Sequence, residues 1–474
     1  MDVTRRGFVG GMLAFGAAAG GRLSPAAASA REDTRPPELR FGVLSDIHLD
    51  LSEVRANAFR KALEGFRAAG VDAVLITGDI AHKGRVDQLE QMRDVWEKVF
   101  PGGRRPDGEK VERLLLPGNH DWNRPKKRAP GGPVYIGDDF ARNWERVLGE
   151  KFEPIRKVAV KGFAFILADW FAVDSVDRWF DAHKSELDPS KPLFYGQHPH
   201  PKGTCYDPKT FYWAQHDSGA SAKALSRYPL SFAFSGHSHY PVTDPYSIWQ
   251  GPFTSINCGS TWCSSRDYVP VDETLNGPAY DYARKPELMP RVPVCNEVAP
   301  GLLVSVYGSF VRIERRDYLS GLSLGEDWVV PLDAADRPFL PSNRSKGRIA
   351  PRFPKGASLS VDSVDGVFDI AQGAAKNPRR ERIAQVRLSF PEASAAGRDR
   401  VFGYEITAFA GGKKLFSRFL LAEDYHLPPM LRRTSPAFYV DRSEIPAGAK
   451  VSFEVRAMER FGGRSSPLSA VFAG

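Results

Sequence analysis

Several apolar segments of this chain stop abruptly at small or chain-breaking residues and are followed at once by polar side chains. The clearest is residues 114–116, which lead through a Pro-Gly pair to Asn119, His120 and Asp121. A branched apolar run that ends in this way is typical of a buried strand followed by a loop. Ligands of open α/β sheets bind outside the carboxyl ends of the strands, so we expect these side chains at a functional crevice. An ordinary polar loop would explain this segment alone, but further strand ends of the same kind weigh against it.

Two repeats of the order strand, helix, strand account for the first part of the chain. Apolar residues over 39–44 and 71–77 predict strands, and the helical spacing over 52–69 predicts the helix between them. Residues 86–100 and 111–116 repeat the unit. Such units are right-handed and place parallel strands side by side in one sheet. The carboxyl ends of these strands therefore lie at one edge, and they carry Asp46, His48, Asp79, Asn119, His120 and Asp121.

A second series of strands follows a helix predicted over residues 140–148. These strands are predicted over residues 158–168, 192–197, 230–234 and 253–261. The second of them ends in His198, with His200 as the alternative, and the third ends in His237 and His239. We prefer His198 to His200 because it follows its strand directly.

Each of these histidines taken singly is more readily explained as a structural residue, but together they predict a metal site. Two divalent cations about 3.5–4 Å apart need a shared carboxylate and several imidazole and carboxylate ligands. Nitrogen and oxygen ligands without thiolate suit Mn, Fe, Zn or Co better than Mg or Ca. We therefore expect two divalent metal ions as cofactors.

Five polar blocks in a set order resemble the signature of calcineurin-like metallophosphoesterases. The blocks are Asp46-Ile47-His48, Gly78-Asp79, Gly118-Asn119-His120-Asp121, His198 and Gly236-His237-Ser238-His239. The resemblance spans roughly residues 40 to 335 and implies an αββα sandwich with the metals between its sheets. Carried over by position, it implies Asp46, His48 and His239 as ligands of one metal, Asn119, His198 and His237 as ligands of the other, and Asp79 as the bridge.

His120 and Asp121 are the candidate catalytic residues. His120 neighbours a ligand without being one, so it is placed to stabilise or protonate the leaving oxygen. We expect Asp121 to orient His120 and keep it cationic, with a loop-fixing carboxylate as the alternative. His82 falls where purple acid phosphatases carry a tyrosine ligand; the missing tyrosine argues against that iron site, and we interpret His82 as a loop residue.

The first thirty residues differ from the rest of the chain. The pair Arg5-Arg6 precedes an apolar, Gly/Ala-rich run through Ala19, and Ala28-Ser29-Ala30 offers a cleavage site. This pattern predicts a signal peptide over residues 1–30 and resembles the twin-arginine type, which exports folded proteins from bacteria. We therefore expect a periplasmic or secreted protein. No later segment is long and apolar enough to predict a membrane span.

The formal net charge of +8 suits anionic small molecules or polymers but does not demand nucleic acid, which we do not favour as a partner. The four cysteines allow three complete pairings and lack zinc-ligand spacing. We interpret them as structural, either buried thiols or one or two disulfides. They are Cys205, Cys258, Cys263 and Cys295. The oligomeric state stays open.

Composition along the chain predicts its domains: a catalytic domain over residues 36–335, a linker over 336–356 and an all-β domain over 357–474. From about residue 357 the helical signal disappears, and short alternating segments separated by turn residues predict a β-sandwich. Its last segments resemble those of a fibronectin type III domain, an analogy that says little about function. The fold class is therefore α/β, a four-layer αββα sandwich followed by an all-β sandwich.

These observations predict an exported, metal-dependent hydrolase of phosphoric esters. It would cleave a small phosphomono- or phosphodiester by attack of a hydroxide that bridges the two metals. One alternative is a nuclease or nucleotide hydrolase, and another is a noncatalytic phosphate- or polymer-binding protein. We expect substrate specificity to lie in residues 123–140 and 264–300. Six aromatic residues are candidates to stack on a sugar or base of the substrate, although aromatic residues mostly fill cores. They are Trp122, Trp170, Tyr206, Tyr212, Trp213 and Trp262.

Overall fold

The computed structural model describes most of the chain from residue 35 onward. The described residues are 35–126, 131–205, 217–263, 298–344, 346, 349–370, 379–395, 400–422 and 435–473. The signal peptide predicted over residues 1–30, Cys295 and most of the predicted specificity segment 264–300 lie outside them.

The first of two central sheets has seven strands. It contains β1 (Leu39–Leu44), β2 (Ala73–Thr77), β3 (Glu112–Leu116), β10 (Pro300–Val306), β11 (Phe310–Asp317), β12 (Leu322–Ser323) and β13 (Trp328–Pro331). Its order is β12-β11-β10-β1-β2-β3, and β13 pairs with residues 310–313 of β11, on the same edge as β12. Strands β1, β2 and β3 are parallel, as the two predicted strand–helix–strand repeats require, whereas β10 runs antiparallel to β1.

Three helices cover the outer face of this sheet. They are α1 (Glu53–Ala69), α2 (Val86–Val99) and α3 (Phe140–Leu148). The Ser52 side chain caps the start of α1, and Gly70 ends it with a left-handed φ of 71°, which glycine adopts at little cost. Apolar side chains such as Phe59 and Phe66 on α1 and Trp96 on α2 pack with the sheet into one buried cluster. The predicted helices are therefore confirmed within a residue or two at their ends.

The second central sheet has six strands in the order β4-β5-β6-β7-β9-β8. They are β4 (Ile155–Val160), β5 (Phe163–Ala168), β6 (Leu193–Gly196), β7 (Ser231–Ser235), β8 (Ile248–Gln250) and β9 (Thr254–Asn257). Strands β5, β6, β7 and β9 are parallel. Two short helices that the sequence did not reveal, α4 (Val176–Ala182) and α5 (Ala220–Leu225), pack on the outer face of this sheet.

One strand prediction in this sheet is wrong. Residues 158–168 form a hairpin rather than a single strand, because the chain reverses at Lys161 and Gly162, with φ values of 50° and 82°. Positive φ at both central residues matches the twist of a hairpin. Lys-Gly is a weaker turn signal than Asn-Gly. The alternation of apolar residues continues on both sides of the turn, so the segment was predicted as one strand. The strand predicted over 253–261, running to a turn, is confirmed as β9, which ends at Asn257.

The two sheets face each other across a core of apolar side chains that both contribute. The ring of Phe41 on β1 meets the rings of Phe165, Phe194 and Phe234 edge-on, at centroid distances of 5.1, 4.9 and 5.7 Å. Such edge-to-face pairs stabilise by about 0.5–1.5 kcal/mol each beyond their buried area. The layer order is helix, sheet, sheet, helix, which confirms the predicted αββα architecture. It also brings the carboxyl ends of β1, β2, β3, β6 and β7 together.

The C-terminal part is built from strands and short turns, as predicted. Its strands are β14 (Ser360–Ile370), β15 (Arg379–Ser389), β16 (Val401–Ala410), β17 (Lys413–Leu421), β18 (Ala437–Asp441), β19 (Lys450–Glu459) and β20 (Leu468–Ala473). They form two antiparallel sheets, β14-β15-β18 and β17-β16-β19-β20, which share one apolar core. The exact domain boundaries and the likeness to fibronectin type III domains stay predictions.

The segment predicted as a linker is partly packed. Phe339 is 3% exposed and belongs to the core between the two central sheets, and its backbone exchanges two hydrogen bonds with Gln250. A short helix, α6 (Pro341–Arg344), follows it. The β-sandwich contacts the same region, since Arg460 lies 3.7 Å from Asp244 and stacks over the Tyr246 ring.

The cysteines divide into two kinds. Cys205 and Cys258 are free and buried, whereas Cys263 is disulfide-bonded. None of the helices in the described part of the chain combines the length and apolar character needed to cross a membrane.

Candidate metal centre

The loops that follow the strands of both sheets carry the predicted ligands to one place. The loops after β1 and β2 are joined by backbone hydrogen bonds, from the Asp46 amide to the Gly78 carbonyl and from the His48 amide to the Asp79 carbonyl. In the second sheet the Gly236 amide donates to the His198 carbonyl at 2.9 Å. These backbone contacts determine the spacing of the side chains before any metal is considered.

The backbone of the site is unusual at most of the predicted ligands. Five of them have positive φ: Asp46 (51°), His48 (46°), Asp79 (53°), His237 (66°) and His239 (54°). Among the described non-glycine residues, positive φ occurs elsewhere only at Leu51 and Lys161. A non-glycine residue in this region costs on the order of 1–3 kcal/mol, and such residues concentrate at functional sites. Backbone strain is therefore concentrated at the residues that carry the predicted ligand side chains.

Two motif glycines are required by close approach rather than by φ. A Cβ at Gly118 would collide with the Asp79 carboxylate and the His198 ring, and one at Gly236 would collide with Ser45 and Asp46. Each glycine therefore lets its own loop lie directly against a predicted ligand from another loop.

One group of donor atoms gathers around Asp46. The group contains Asp46, His48, Asp79 and His239, with one ligand atom from each lying within 4.8 Å of the others. The Asp46 Oδ1 is 3.0 Å from the His239 Nε2 and 3.7 Å from the His48 Nε2. The His48 Nε2 is also 3.5 Å from the Asp79 Oδ2.

A second group of donor atoms contains Asp79, His198 and His237, again within 4.8 Å of one another. The His198 Nε2 lies 3.2 Å from the Asp79 Oδ2. Asp79 belongs to both groups, which is the position that a bridging carboxylate must take. The structure therefore brings together the carboxylates and histidines that the motifs predicted.

Unsatisfied polar atoms provide a test of whether these residues fit a metal. Within the described chain, the Oδ1 atoms of Asp46 and Asn119 and the Nε2 of His198 are buried without a hydrogen-bond partner. A buried polar atom left without a partner costs about 1–3 kcal/mol, and more when it is charged. Cations between the two sheets would satisfy these atoms. The donor set of carboxylate, amide and imidazole suits Mn, Fe, Zn or Co.

Hydrogen bonds from the outer ring nitrogens orient two of the histidines. The Nδ1 of His198 donates to the Thr77 carbonyl at 2.7 Å, and the Nδ1 of His239 donates to the Cys263 carbonyl at 2.9 Å. A carbonyl can only accept, so the proton is on Nδ1 and Nε2 faces the carboxylates. Metal-binding histidines are usually held in this way.

The electrostatics of the cluster separate its histidines into two classes. Burial lowers the pKa of His48 to about 4 and that of His237 to about 3, so both rings are neutral, as a ligand must be. Burial also acts to lower the pKa of His198, but the charges of Asp79 and Asp46 outweigh it and raise that pKa to about 9. The carboxylates therefore favour positive charge at the His198 Nε2, where a cation would lie.

The choice between His198 and His200 follows from their ring contacts. His200 is buried with its Nδ1 2.6 Å from the Ser235 hydroxyl and its Nε2 2.8 Å from the Ser238 hydroxyl. Both of its ring nitrogens are thus occupied by serine side chains, whereas the His198 Nε2 faces Asp79. The geometry favours His198 as the ligand.

The role predicted for Asp121 is contradicted. Its Oδ1 accepts from the Ala81 amide at 2.7 Å, and its Oδ2 accepts from the amides of Gly118 and Ile80 at 2.8 and 3.2 Å. No hydrogen bond joins it to the His120 ring within the described residues. Burial, followed by the charge of Asp79, raises the pKa of Asp121 to about 7. Asp121 is the loop-fixing carboxylate that the sequence offered as the alternative.

His120 is held by other partners. Its amide donates to the Asp79 Oδ1 at 2.8 Å, and its Nδ1 donates to the His82 carbonyl at 2.8 Å. The His120 ring lies 4.6 Å from the His48 ring at an angle of 88°. His120 therefore lies beside the predicted ligands His48 and Asp79, and its role at the leaving oxygen stays a prediction.

His82 was interpreted from the sequence as a loop residue, but it lies within this cluster. Its Nδ1 is 3.3 Å from the His48 Nδ1, and its ring stacks on His120 with a centroid distance of 5.7 Å. Burial, together with the neighbouring His48, lowers the pKa of His82 to about 4. Its position three residues after Asp79 was the signal that could have identified it.

Two tryptophans pack against predicted ligand histidines, one in each group of donor atoms. The Trp170 ring lies 5.1 Å from that of His237, and the Trp262 ring lies 4.7 Å from that of His48. Arg55 stacks over Trp262 at 4.2 Å and donates to the His48 carbonyl. Of the six aromatic residues named from the sequence, Trp170 and Trp262 therefore pack against predicted ligand histidines. Trp122 instead stacks on Phe140, and Tyr206, Tyr212 and Trp213 lie outside the described residues.

One known protein family and several solved structures resemble part of this chain. Residues 39–241 match the family described as calcineurin-like phosphoesterase. No curated protein sequence matches the chain. Among solved structures, a dimetal phosphatase from Danio rerio is 13% identical with a TM-score of 0.38, covering 63% of this chain and 100% of that one. A purple acid phosphatase from yellow lupin (Lupinus luteus) seeds is 12% identical with a TM-score of 0.42, covering 62% of this chain and 53% of that one. The family match includes all the predicted ligands from Asp46 to His239.

Proposed function

We propose that this protein is a dinuclear metal-dependent hydrolase of phosphomono- or phosphodiesters. The observation that carries the proposal is the position of Asp79, which belongs to both groups of clustered donor atoms. The unpartnered buried atoms of Asp46, Asn119 and His198 support it, because cations would remove the cost of burying them. The family match over residues 39–241 supports the class of ester.

The two groups divide the ligands as the motifs imply. Asp46, His48 and His239 would hold one cation, Asn119, His198 and His237 would hold the other, and Asp79 would bridge them. Bound there, divalent cations would act as Lewis acids on a phosphoryl oxygen and lower the pKa of water towards neutrality.

His120 is the proposed proton donor to the leaving oxygen. Because its Nδ1 donates to the His82 carbonyl, its Nε2 is the atom that can exchange a proton with the substrate. The hydrogen bond from its backbone amide to the Asp79 carboxylate holds His120 next to the proposed bridging residue. General acid catalysis by such a group contributes typically 10²–10⁴-fold.

The experiment uses the purified full-length chain, Mn²⁺, and a chromogenic aryl phosphate together with a bis-aryl phosphate. We expect hydrolysis that a chelator abolishes, and Asp79→Asn should lose both metal ions. Asp188→Asn is the matched control, because Asp188 is half exposed and precedes β6, at the end of the strand opposite to the ligands. His120→Ala should bind metal normally and lose on the order of 10²-fold in kcat.

Two results would contradict the proposal. One is metal binding without turnover in a panel of monoesters, diesters, nucleotides and phospholipid headgroups, which would favour a noncatalytic binding protein. The other is undiminished metal content in the Asp79→Asn variant. The same panel distinguishes a general phosphoesterase from a nucleotide hydrolase.

Export belongs to the proposal as well. The Arg5-Arg6 pair and the Ala28-Ser29-Ala30 site support a twin-arginine signal peptide, which would deliver a folded, metal-loaded enzyme to the periplasm or medium. Replacing both arginines by lysine should retain the protein inside the cell, as cell fractionation would measure. Unchanged export of that variant would contradict this route.

A further inference from the structure

His82 lies between a metal-ligand histidine and the proposed proton donor. Its ring centroid is 5.3 Å from that of His48 and 5.7 Å from that of His120. Its backbone is held in place, since its amide donates to the Leu49 carbonyl at 2.9 Å. The ring is therefore a fixed neighbour of both histidines.

The hydrogen bonds of the Nδ1 atoms of the predicted ligand histidines indicate that His82 is the partner of His48. His198 and His239 each donate their Nδ1–H to a backbone carbonyl, of Thr77 and Cys263 respectively. The Nδ1 of His48 instead faces the Nδ1 of His82 at 3.3 Å. Its partner is thus a side chain, which a substitution can remove.

The direction of this hydrogen bond follows from the carboxylates. The His48 Nε2 faces Asp79 and Asp46, at 3.5 and 3.7 Å, so this is the atom that offers its lone pair to a cation. The proton of the neutral His48 ring must then be on Nδ1, and it is donated to the Nδ1 of His82. His82 in turn carries its own proton on Nε2.

We propose that His82 is a positioning residue of the metal centre, whose ring accepts the His48 Nδ1–H and whose carbonyl accepts the His120 Nδ1–H. It thereby sets the ring orientation and tautomer of both a ligand and the proton donor. The inference rests on the proposed function in so far as it requires divalent cations at His48. Outer partners of this kind typically change metal affinity 10–100-fold when they are removed.

The test compares two replacements of His82 in the full-length protein. His82→Phe keeps an aromatic ring but cannot accept a hydrogen bond, whereas His82→Asn offers an amide oxygen in place of Nδ1. His183→Phe is the matched control. The His183 ring also stacks on an aromatic ring, that of Trp179 at 4.1 Å, but it lies at the end of helix α4, which packs on the other sheet. The measurements are the Mn²⁺ stoichiometry and dissociation constants by titration calorimetry, the kcat and KM at limiting and saturating Mn²⁺, and the thermal midpoint.

We expect His82→Phe to weaken the affinity for one of two Mn²⁺ ions 10–100-fold. Saturating Mn²⁺ should restore most of kcat, and KM should change little. His82→Asn should recover most of the affinity, which a purely structural role of the ring would not explain. Should the phenylalanine variant fail to fold, His82→Ala provides the same comparison.

Three results would overturn the inference. One is an Mn²⁺ affinity of His82→Phe equal to that of the wild type. Another is a third ion in the wild type that the variant lacks, which would make His82 a ligand. The last is a wild-type chain that binds no divalent cation, which would overturn the proposed function too. Metal binding with the expected difference but no ester hydrolysis would refute the proposed function alone and support the role of His82.

Discussion

The contact of Arg460 with Asp244 offers a quantitative test of how the β-sandwich is attached. Asp244 is fully buried in the loop that follows the ligand His239, and the Arg460 side chain is 13% exposed. Their nearest charged atoms are 3.7 Å apart. The guanidinium also lies over the rings of Tyr246 and Phe402, at 4.6 Å from each centroid.

These contacts set the size of the effect. Removing one partner of a buried ion pair costs about 3–5 kcal/mol because the other charge is left uncompensated. The distance of 3.7 Å and the residual exposure of Arg460 place this pair below that range, at about 2–3 kcal/mol. Each cation–π contact adds about 0.5–1 kcal/mol. With two such contacts, we therefore expect Arg460→Ala to lower the free energy of unfolding by about 3–5 kcal/mol.

A double-mutant cycle checks this value. Arg460→Ala, Asp244→Asn and the double variant would be unfolded in urea and followed by fluorescence and circular dichroism. The double variant should be destabilised by less than the sum of the single variants, because it leaves no buried charge. Arg418→Ala is the control, because Arg418 pairs with Glu444 on the surface of the β-sandwich, and this pair is more exposed. A loss below about 1 kcal/mol for Arg460→Ala, typical of a surface pair, would refute the reasoning.

Two further predictions concern the catalytic domain. Burial raises the pKa of Asp169 to about 6, so the folded state holds this proton more tightly than the unfolded chain does, and stability falls as pH rises from about 4 to about 6. This fall in the free energy of unfolding amounts to about 2–3 kcal/mol and can be measured by urea unfolding at the two pH values. Asp169→Asn should abolish it, and a variant with the same pH dependence as the wild type would contradict the prediction. Gly118→Ala should displace Asp79 or His198 and weaken Mn²⁺ binding by at least tenfold in calorimetry, whereas Gly308→Ala, which meets little more than the flexible end of Glu38, should bind normally.

Local sequence patterns predicted most of the elements that carry the site. The strand over residues 39–44 and the helix over 140–148 have the predicted bounds, and the helix after Ser52 begins and ends at its capping residues. These predictions succeeded because caps, turn residues and apolar periodicity act over a few neighbouring residues. The hairpin at Lys161 was missed because its turn depends on two positive φ values rather than on a distinctive residue pair.

The sequence did not predict the contacts between segments that are far apart along the chain. Asp121 follows His120 in the chain, which suggested that it orients the ring, but its oxygens are taken by amides of the loop after β2. The contact of Arg460 with Asp244 joins residues more than two hundred positions apart. No local pattern reports which donors will surround a carboxylate once several loops converge.

The amino-acid sequence by itself determined which residue types stand at the strand ends, and therefore the class of site, because parallel strands deliver their carboxyl ends to one edge. Only the tertiary structure decided which of these side chains face the centre. It turned His198 towards Asp79 and His200 towards two serines, and it brought His82 against His48. The physical reason is that ring orientation depends on hydrogen-bond partners from other loops, whose positions are determined by packing and backbone hydrogen bonds between distant segments.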